Sequence, residues 1–210
     1  MANKGEAISF IQVGANDGSY GDPLREYVLK YPWRGILVEP QEMAFKTLRE
    51  NYAAAADRLI FENAAISRSA NIMMYRAPAH CAGNEIYAAS VVSTDPGVVA
   101  RQLGLKLEQL EQFSVPCVTL DCLIERHELK KLDLLQIDAE GYDWHVLNTL
   151  SLANVKPSII QFEHGHLSND SIDKVAKFLD ANGYSIYWGG HQSDTVALSS
   201  NFISTYCGKG

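Results

Sequence analysis

Ile8-Ser9-Phe10-Ile11-Gln12-Val13-Gly14-Ala15-Asn16-Asp17-Gly18 is the stretch that decides the fold. A short apolar run stopping at a glycine marks a buried strand that ends in a tight turn. Asp22-Pro23 then reads as an N-cap with proline in the first helical turn, and Leu24, Tyr27, Val28 and Tyr31 follow at helical spacing. The same rhythm continues downstream. Gly35 to Val38 and Arg58 to Phe61 read as strands two and three, and Pro40 opens a helix striped by Ala44, Leu48 and Tyr52. Ile72 to Tyr75 is a further short strand. Later come strands at Val115 to Val118, Leu134 to Ile137, Ser158 to Phe162 and Tyr184 to Trp188, with helical patterns from Thr119, from Asp143 and across Ile172 to Leu179. Thr195 to Leu198 and Phe202 to Tyr206 close the chain. Strands separated by helical patterns predict an α/β fold of the Rossmann-like, doubly wound kind, with a mostly parallel sheet.

Residues 76–114 break that rhythm with Pro78, Gly83, Pro96, Gly97 and Gly104. The stretch is too long for a plain connection, so it reads as an insert before the fourth parallel strand. Short helices are expected across Val98 to Leu103 and near Leu107 to Gln112. With Tyr87, Ser90 and Ser93, the insert reads as an acceptor lid or as a homodimer contact.

The 210 residues fit a single domain, and 47% apolar with 20% charged residues is ordinary globular usage. The net charge of −7 and the lack of a Lys/Arg cluster argue against a nucleic-acid groove, which needs basic residues to neutralise phosphates. No apolar stretch is long enough for a signal peptide core or a membrane span. Cys81, Cys117, Cys122 and Cys207 form no CxxC pair, so a cytoplasmic protein with reduced thiols is expected.

The chemistry-bearing residues fall just after strands. Gly14 and Gly18 permit a tight turn and close approach of a ligand to backbone. The loop lacks the glycine spacing of a dinucleotide fingerprint, and Asn16 and Asp17 put acceptors where a pyrophosphate wants bare N–H groups. Such a loop suits a ligand with a positively charged amino-acid end. Glu39, 21 residues beyond Gly18, stands where an acid can accept both hydroxyls of an adenosine ribose. Asn63-Ala64-Ala65 offers an adenine slot. Asp138 and Glu163 end two further strands and face one crevice, where a carboxylate pair can hold a divalent cation or act as base and orienter. His145, His164 and His166 lie nearby in sequence, and His164 adjoins the strand end most closely.

Val13 to Gly18, Glu39-Pro40, Ile137 to Gly141 and Ile159 to Glu163 together resemble the FkbM-type methyltransferases. The likeness runs from about Ile8 to Leu198. It departs from the common form at Gln12, where that form has an acid, and at Gln136, where it has a lysine. The resemblance implies a class I methyltransferase fold, with S-adenosylmethionine held by Gly14, Asn16, Asp17, Gly18 and Glu39. It also implies methyl transfer to an acceptor oxygen, on a sugar, a glycan or another small molecule. By analogy with catechol-type enzymes, Asp138, Glu163 and His164 would hold Mg²⁺; the competing account uses His164 as general base. A nicotinamide oxidoreductase and a non-catalytic adenosyl-ligand sensor are the rival readings of the same fold.

Overall fold

The computed structural model describes residues 7–78, 91–190 and 194–206. A seven-stranded sheet forms its centre. Five strands are parallel: β1 (Ser9–Val13), β2 (Arg34–Val38), β3 (Leu59–Glu62), β8 (Leu134–Ile137) and β9 (Ile159–Glu163). β10 (Tyr184–Tyr187) and β11 (Asp194–Ser199) complete it, and the order is β3-β2-β1-β8-β9-β11-β10. β11 runs antiparallel to both of its neighbours.

Both faces of the sheet are covered, which is why its central strands are apolar along their whole length rather than alternating. Ile11, Val13, Ile36, Val38, Leu135 and Ile137 pack on one face against α4 (Leu120–Arg126), α5 (Asp143–Leu147) and α6 (Asn169–Ala181). Phe10, Leu37 and Leu134 pack on the other against α1 (Arg25–Lys30) and α2 (Glu42–Asn51), through Leu24, Val28, Leu48 and Tyr52. A cap marks the helix start that the sequence predicts at Thr119, whose hydroxyl accepts from the Cys122 N–H; Ser168 caps α6 in the same way, accepting from the Ser171 N–H.

A second sheet lies between β3 and β8. β4 (Ala65–Ile66), β5 (Asn71–Arg76), β6 (Val92–Ser93) and β7 (Glu111–Val118) pair in the order β4-β7-β5-β6, and α3 (Pro96–Leu103) packs on β5 and β6. The structure differs here from the sequence expectation. No helix covers residues 107–112. A single 3-10 turn at Leu107–Gln109 gives way to β7, whose first residues pair with β5 from Arg76↔Glu111 onward. The alternation of Phe113, Val115 and Cys117 seats that strand on a small core with Met74 and Val92. Phe202 to Tyr206 is helical, in α7 (Ser200–Tyr206). Tyr87, Ser90, Cys81 and Cys207 lie outside the described residues. Among the described residues, no helix is long and apolar enough to cross a membrane.

The strand order reverses across β1, between β2 and β8, and that is where the carboxyl ends of an open α/β sheet leave a crevice. Gly35 lets β1 and β2 close beneath it. A Cβ there would sit 2.6 Å from both the ring and the carbonyl oxygen of Phe10. Gly35→Ala should therefore cost about 1–3 kcal/mol, the range of core overpacking, read as a lower Tm with no change in secondary structure.

Candidate functional site

A cavity of about 200 Å³ opens at the carboxyl ends of β1, β2 and β8. Its walls come from the loop after β1 (Gly14, Ala15, Asn16), from Glu39 after β2, and from Asp138 to Glu140 after β8; the second sheet supplies an apolar side through Ile66, Ile72, Met74 and Val92. Four carboxylates line it, from Asp22, Glu39, Asp138 and Glu140, and no Lys, Arg or His among the described residues does.

Glu39 is buried, at 5% exposure. Its Oε2 accepts from the Asn16 N–H at 2.9 Å and its Oε1 from the Gln41 N–H at 2.7 Å. A carboxylate has about four acceptor sites, so two remain for a ligand. Burial pushes its pKa up to about 7, against the two backbone bonds that pull it down. Asn16 holds a left-handed backbone, φ 49°, which asparagine tolerates better than most residues.

Several expected contacts are used inside the protein instead. The Asp17 carboxylate closes its own turn, accepting from the Ser19 and Tyr20 N–H groups and the Ser19 hydroxyl. Gly18, φ 70°, does not line the cavity; a Cβ there would meet Leu48 and Tyr52 within 2.8 Å. Asn63 donates from Nδ2 to the carbonyls of Glu39 and Pro40, bracing the loop, whereas Ala65 lines the cavity beside Ala64. Gly14 lines the cavity, but the group that demands a glycine is protein. At φ 79°, a Cβ would stand 1.8 Å from the Asp138 carbonyl oxygen.

Gln12 and Gln136 are opposed in the β1–β8 register. The two positions at which the resemblance departs are therefore neighbours across the strands, a neutral amide pair. Both side chains line the cavity, at 2% and 3% exposure, and the Oε1 of each is buried without a partner. Gln12 Nε2 donates to Asp22, which fixes its oxygen toward the remaining space. Asp138 is an exposed residue that lines the cavity. Burial first, then Glu140 and Asp194, push its pKa up to about 7.

Behind Asp138 the acids crowd. Glu163 is pushed up to about 8 by burial and by Asp138, Glu140, Asp143 and Asp194. Asp143, 1% exposed, accepts the Glu163 N–H at Oδ1 while its Oδ2 has no partner; burial, then Asp138, push it up to about 8. The Mg²⁺ set expected from the sequence, Asp138, Glu163 and His164, is not assembled. His164 turns toward β11, with Nδ1 2.9 Å from the Thr195 hydroxyl and its ring edge-on to Trp188. The described ligand atoms that lie within 4.8 Å of one another belong instead to Glu140, Glu163 and His166. In sequence nothing singles out Glu140 from its motif, and His164, not His166, adjoins the strand end most closely. Glu140 also stands at φ 49°, and that strained backbone has no signature in residue type. His145 stacks on Tyr142, 4.4 Å between ring centroids.

The family model described as the methyltransferase FkbM domain matches residues 12–186. The chain belongs to that family. The solved structure of methyltransferase FkbM from Methylobacillus flagellatus KT is 15% identical, with a TM-score of 0.60, over 94% of this chain and 45% of the other. The METTL16 methyltransferase domain is 10% identical, with a TM-score of 0.52, over 94% of this chain and 61% of that one. These likenesses show the class I methyltransferase fold. The chain thus spans less than half of the Methylobacillus flagellatus FkbM protein and about three-fifths of the METTL16 domain. No curated protein matches the chain. Membership in the FkbM methyltransferase family implies S-adenosylmethionine as methyl donor.

The site residues of this FkbM-family chain fit that donor. Glu39 keeps two acceptor sites for a ribose, and the orphaned oxygens of Gln12 and Gln136 together with Asp138 await donors or positive charge.

The buried acids carry a pH signature. A raised folded pKa means that the folded state binds more protons between the unfolded value, near 4, and about 8, so stability is present at low pH and lost as pH rises through 8. Asp143→Asn removes the most buried of these charges and keeps the acceptor for the Glu163 N–H. It should raise Tm by several degrees at pH 9 and by much less at pH 5, by calorimetry at the two pH values; equal effects at both would contradict a buried charge at this position.

Proposed function

We propose that the protein moves the methyl group of S-adenosylmethionine to a hydroxyl oxygen of a small-molecule or glycan acceptor, with Glu140 as general base. One observation carries the reading. Glu140 faces the cavity, and behind it His166 Nε2 lies 3.5 Å from Glu140 Oε2 and 3.6 Å from Glu163 Oε1. That is an outlet for a proton leading away from the methyl-donor site. A hydroxyl, with a pKa like the roughly 16 of water, needs such an outlet to become a nucleophile.

Bound S-adenosylmethionine supplies an electrophilic methyl on a sulfonium, so the protein's task is alignment and proton removal. Glu39 would receive the ribose hydroxyls, and Asp138 with the Gln12 and Gln136 oxygens would face the cationic end. The acceptor oxygen gains the methyl while its proton passes to the Glu140 carboxylate and on toward His166. Burial raises Glu140's pKa, while the Gln102 hydrogen bond and His166 restrain it, which brings a carboxylate closer to a working base.

Mg²⁺ is left out of this reading because a donor already stands among the candidate ligands. Gln102 Nε2 lies 2.6 Å from Glu140 Oε2 and 2.8 Å from His166 Nε2. The acidic lining, with no cation among its described residues, favours a neutral or cationic acceptor over a nucleic acid.

Glu39→Ala should weaken S-adenosylmethionine binding about tenfold or more, since hydrogen bonds to a charged group contribute about 1.5–3 kcal/mol each; unchanged affinity by calorimetry would remove Glu39 from the site. Glu140→Gln should lower kcat on hydroxylated acceptors about 100-fold or more with donor affinity retained, in an assay with labelled methyl groups. Because Glu140 acts ionised and its pKa is raised, wild-type activity should fall as pH drops through that raised value. A flat profile with a fully active Glu140→Gln would assign the base elsewhere.

A further inference from the structure

Gln102 belongs to α3, an element of the second sheet's arm, yet its amide reaches the loops after both β8 and β9. Nε2 donates to Glu140 Oε2 at 2.6 Å and lies 2.8 Å from His166 Nε2. An amide nitrogen carries two hydrogens and no acceptor capacity. With one hydrogen on Glu140, the other can meet His166 only if that ring nitrogen is unprotonated. The arrangement therefore selects the His166 tautomer that carries its proton on Nδ1 and accepts at Nε2. The reversed amide would set its oxygen against the Glu140 carboxylate.

The same arm grips Glu140 a second time. The Ser93 hydroxyl, at the end of β6, donates to the Glu140 carbonyl at 2.7 Å and is itself held by the Asp95 N–H at 3.1 Å. Asp95 in turn caps α3 through the Gly97 N–H at 2.7 Å. Glu140 needs this support, because its left-handed backbone is costly for a residue with a side chain. Gly141, φ 94°, lets the His166 carbonyl lie only 3.0 Å from where its Cβ would be, so the two loops are already in contact beneath the amide.

We propose that Gln102 is a positioning residue, which holds the Glu140 carboxylate and the His166 ring in one arrangement, with His166 accepting at Nε2, and so makes the proton path depend on the docked arm. This rests on the reading of Glu140 as the base, but its test does not need turnover. It also accounts for the placement of a neutral donor between the Glu140 carboxylate and the His166 imidazole: Gln102 bridges them without adding charge.

The test is nitrogen-15 NMR of the imidazole groups in the full chain, saturated with S-adenosylhomocysteine, with His166 assigned by its loss in His166→Asn. In wild type, neutral His166 should show Nδ1 protonated and Nε2 bare. In Gln102→Met, which keeps the length and loses both hydrogens, that pattern should be lost and the Nε2-protonated tautomer should appear. Affinity for S-adenosylhomocysteine should stay within about twofold, because Gln102 does not line the cavity. An Nε2-protonated ring in wild type, or an unchanged ring in Gln102→Met, overturns the proposal. So does selective broadening of His166 by micromolar Mn²⁺, which would mean that a cation displaces the amide. Should Gln102→Met fail to fold, the wild-type spectrum and the Mn²⁺ titration still decide. Failure of the base assignment shows separately, as full methyl transfer by Glu140→Gln.

Discussion

Gly14 lies so close beneath the carbonyl of Asp138 that no side chain fits between them, and the rest of the site is built on that approach. The Asp138 N–H donates to the Val13 carbonyl, and the Gly14 and Ala15 N–H groups both donate to the carbonyl of Val38. The ends of β1, β2 and β8 are thereby held level, and the chain leaves each of them with a polar side chain directed into the same space. A wider spacing would let bulk water between Asp138 and Glu39 and would remove the burial that shifts both of them. The glycine is thus a structural requirement first. Its consequence for a ligand is indirect, through the position of the strand ends.

The second constraint is charge. Asp138, Glu140, Asp143 and Glu163 are gathered at two adjacent strand ends, and no Lys or Arg is paired with any of them in the described residues. Burial and mutual repulsion both favour protonation, so near neutrality Asp138, Asp143 and Glu163 hold protons that free carboxylates would have released. A cationic ligand would reverse that preference. The same acids that weaken the fold as pH rises are therefore the ones a sulfonium or ammonium group would steady, an exchange of stability for binding often found at working sites.

Most of the fold was legible in the sequence because it follows from periodicity. Apolar strands ending in Gly14, Glu39, Asp138 and Glu163 lie where the alternation of elements places them, and the sheet order puts those ends together. Glu39 stood out because it is paired with a glycine loop one strand earlier, a combination more specific than an acid at a strand end alone. What could not be read depends on local partners. Asp17 and Asn63 look like ligand-facing polar groups in sequence, but each has backbone groups of its own loop within reach, and those contacts win. The start of β7 was hidden because its first four residues, Glu111 to Ser114, include only one apolar side chain. His164 and His166 lie two residues apart after the same strand, and their opposite directions follow from β11 and α3, which arrive from distant sequence.

The arm between β3 and β8 gives the chemistry its dependence on the whole chain. The parallel sheet supplies Glu39, Asp138, Glu163 and the unpartnered amide oxygens of Gln12 and Gln136, all on strands or directly after them. Glu140 and His166 are different, because they sit in loops whose conformation the sheet does not fix. A left-handed residue costs about 1–3 kcal/mol and persists only where neighbours compensate; here the compensation is the Ser93 and Gln102 contacts, both from the arm. The apolar side of the cavity comes from the same segment, through Ile72, Met74 and Val92. The apolar wall of the cavity and the contacts that hold the proposed base are therefore one folded unit. A change that loosens the small sheet would be felt at the base before it was felt in the core.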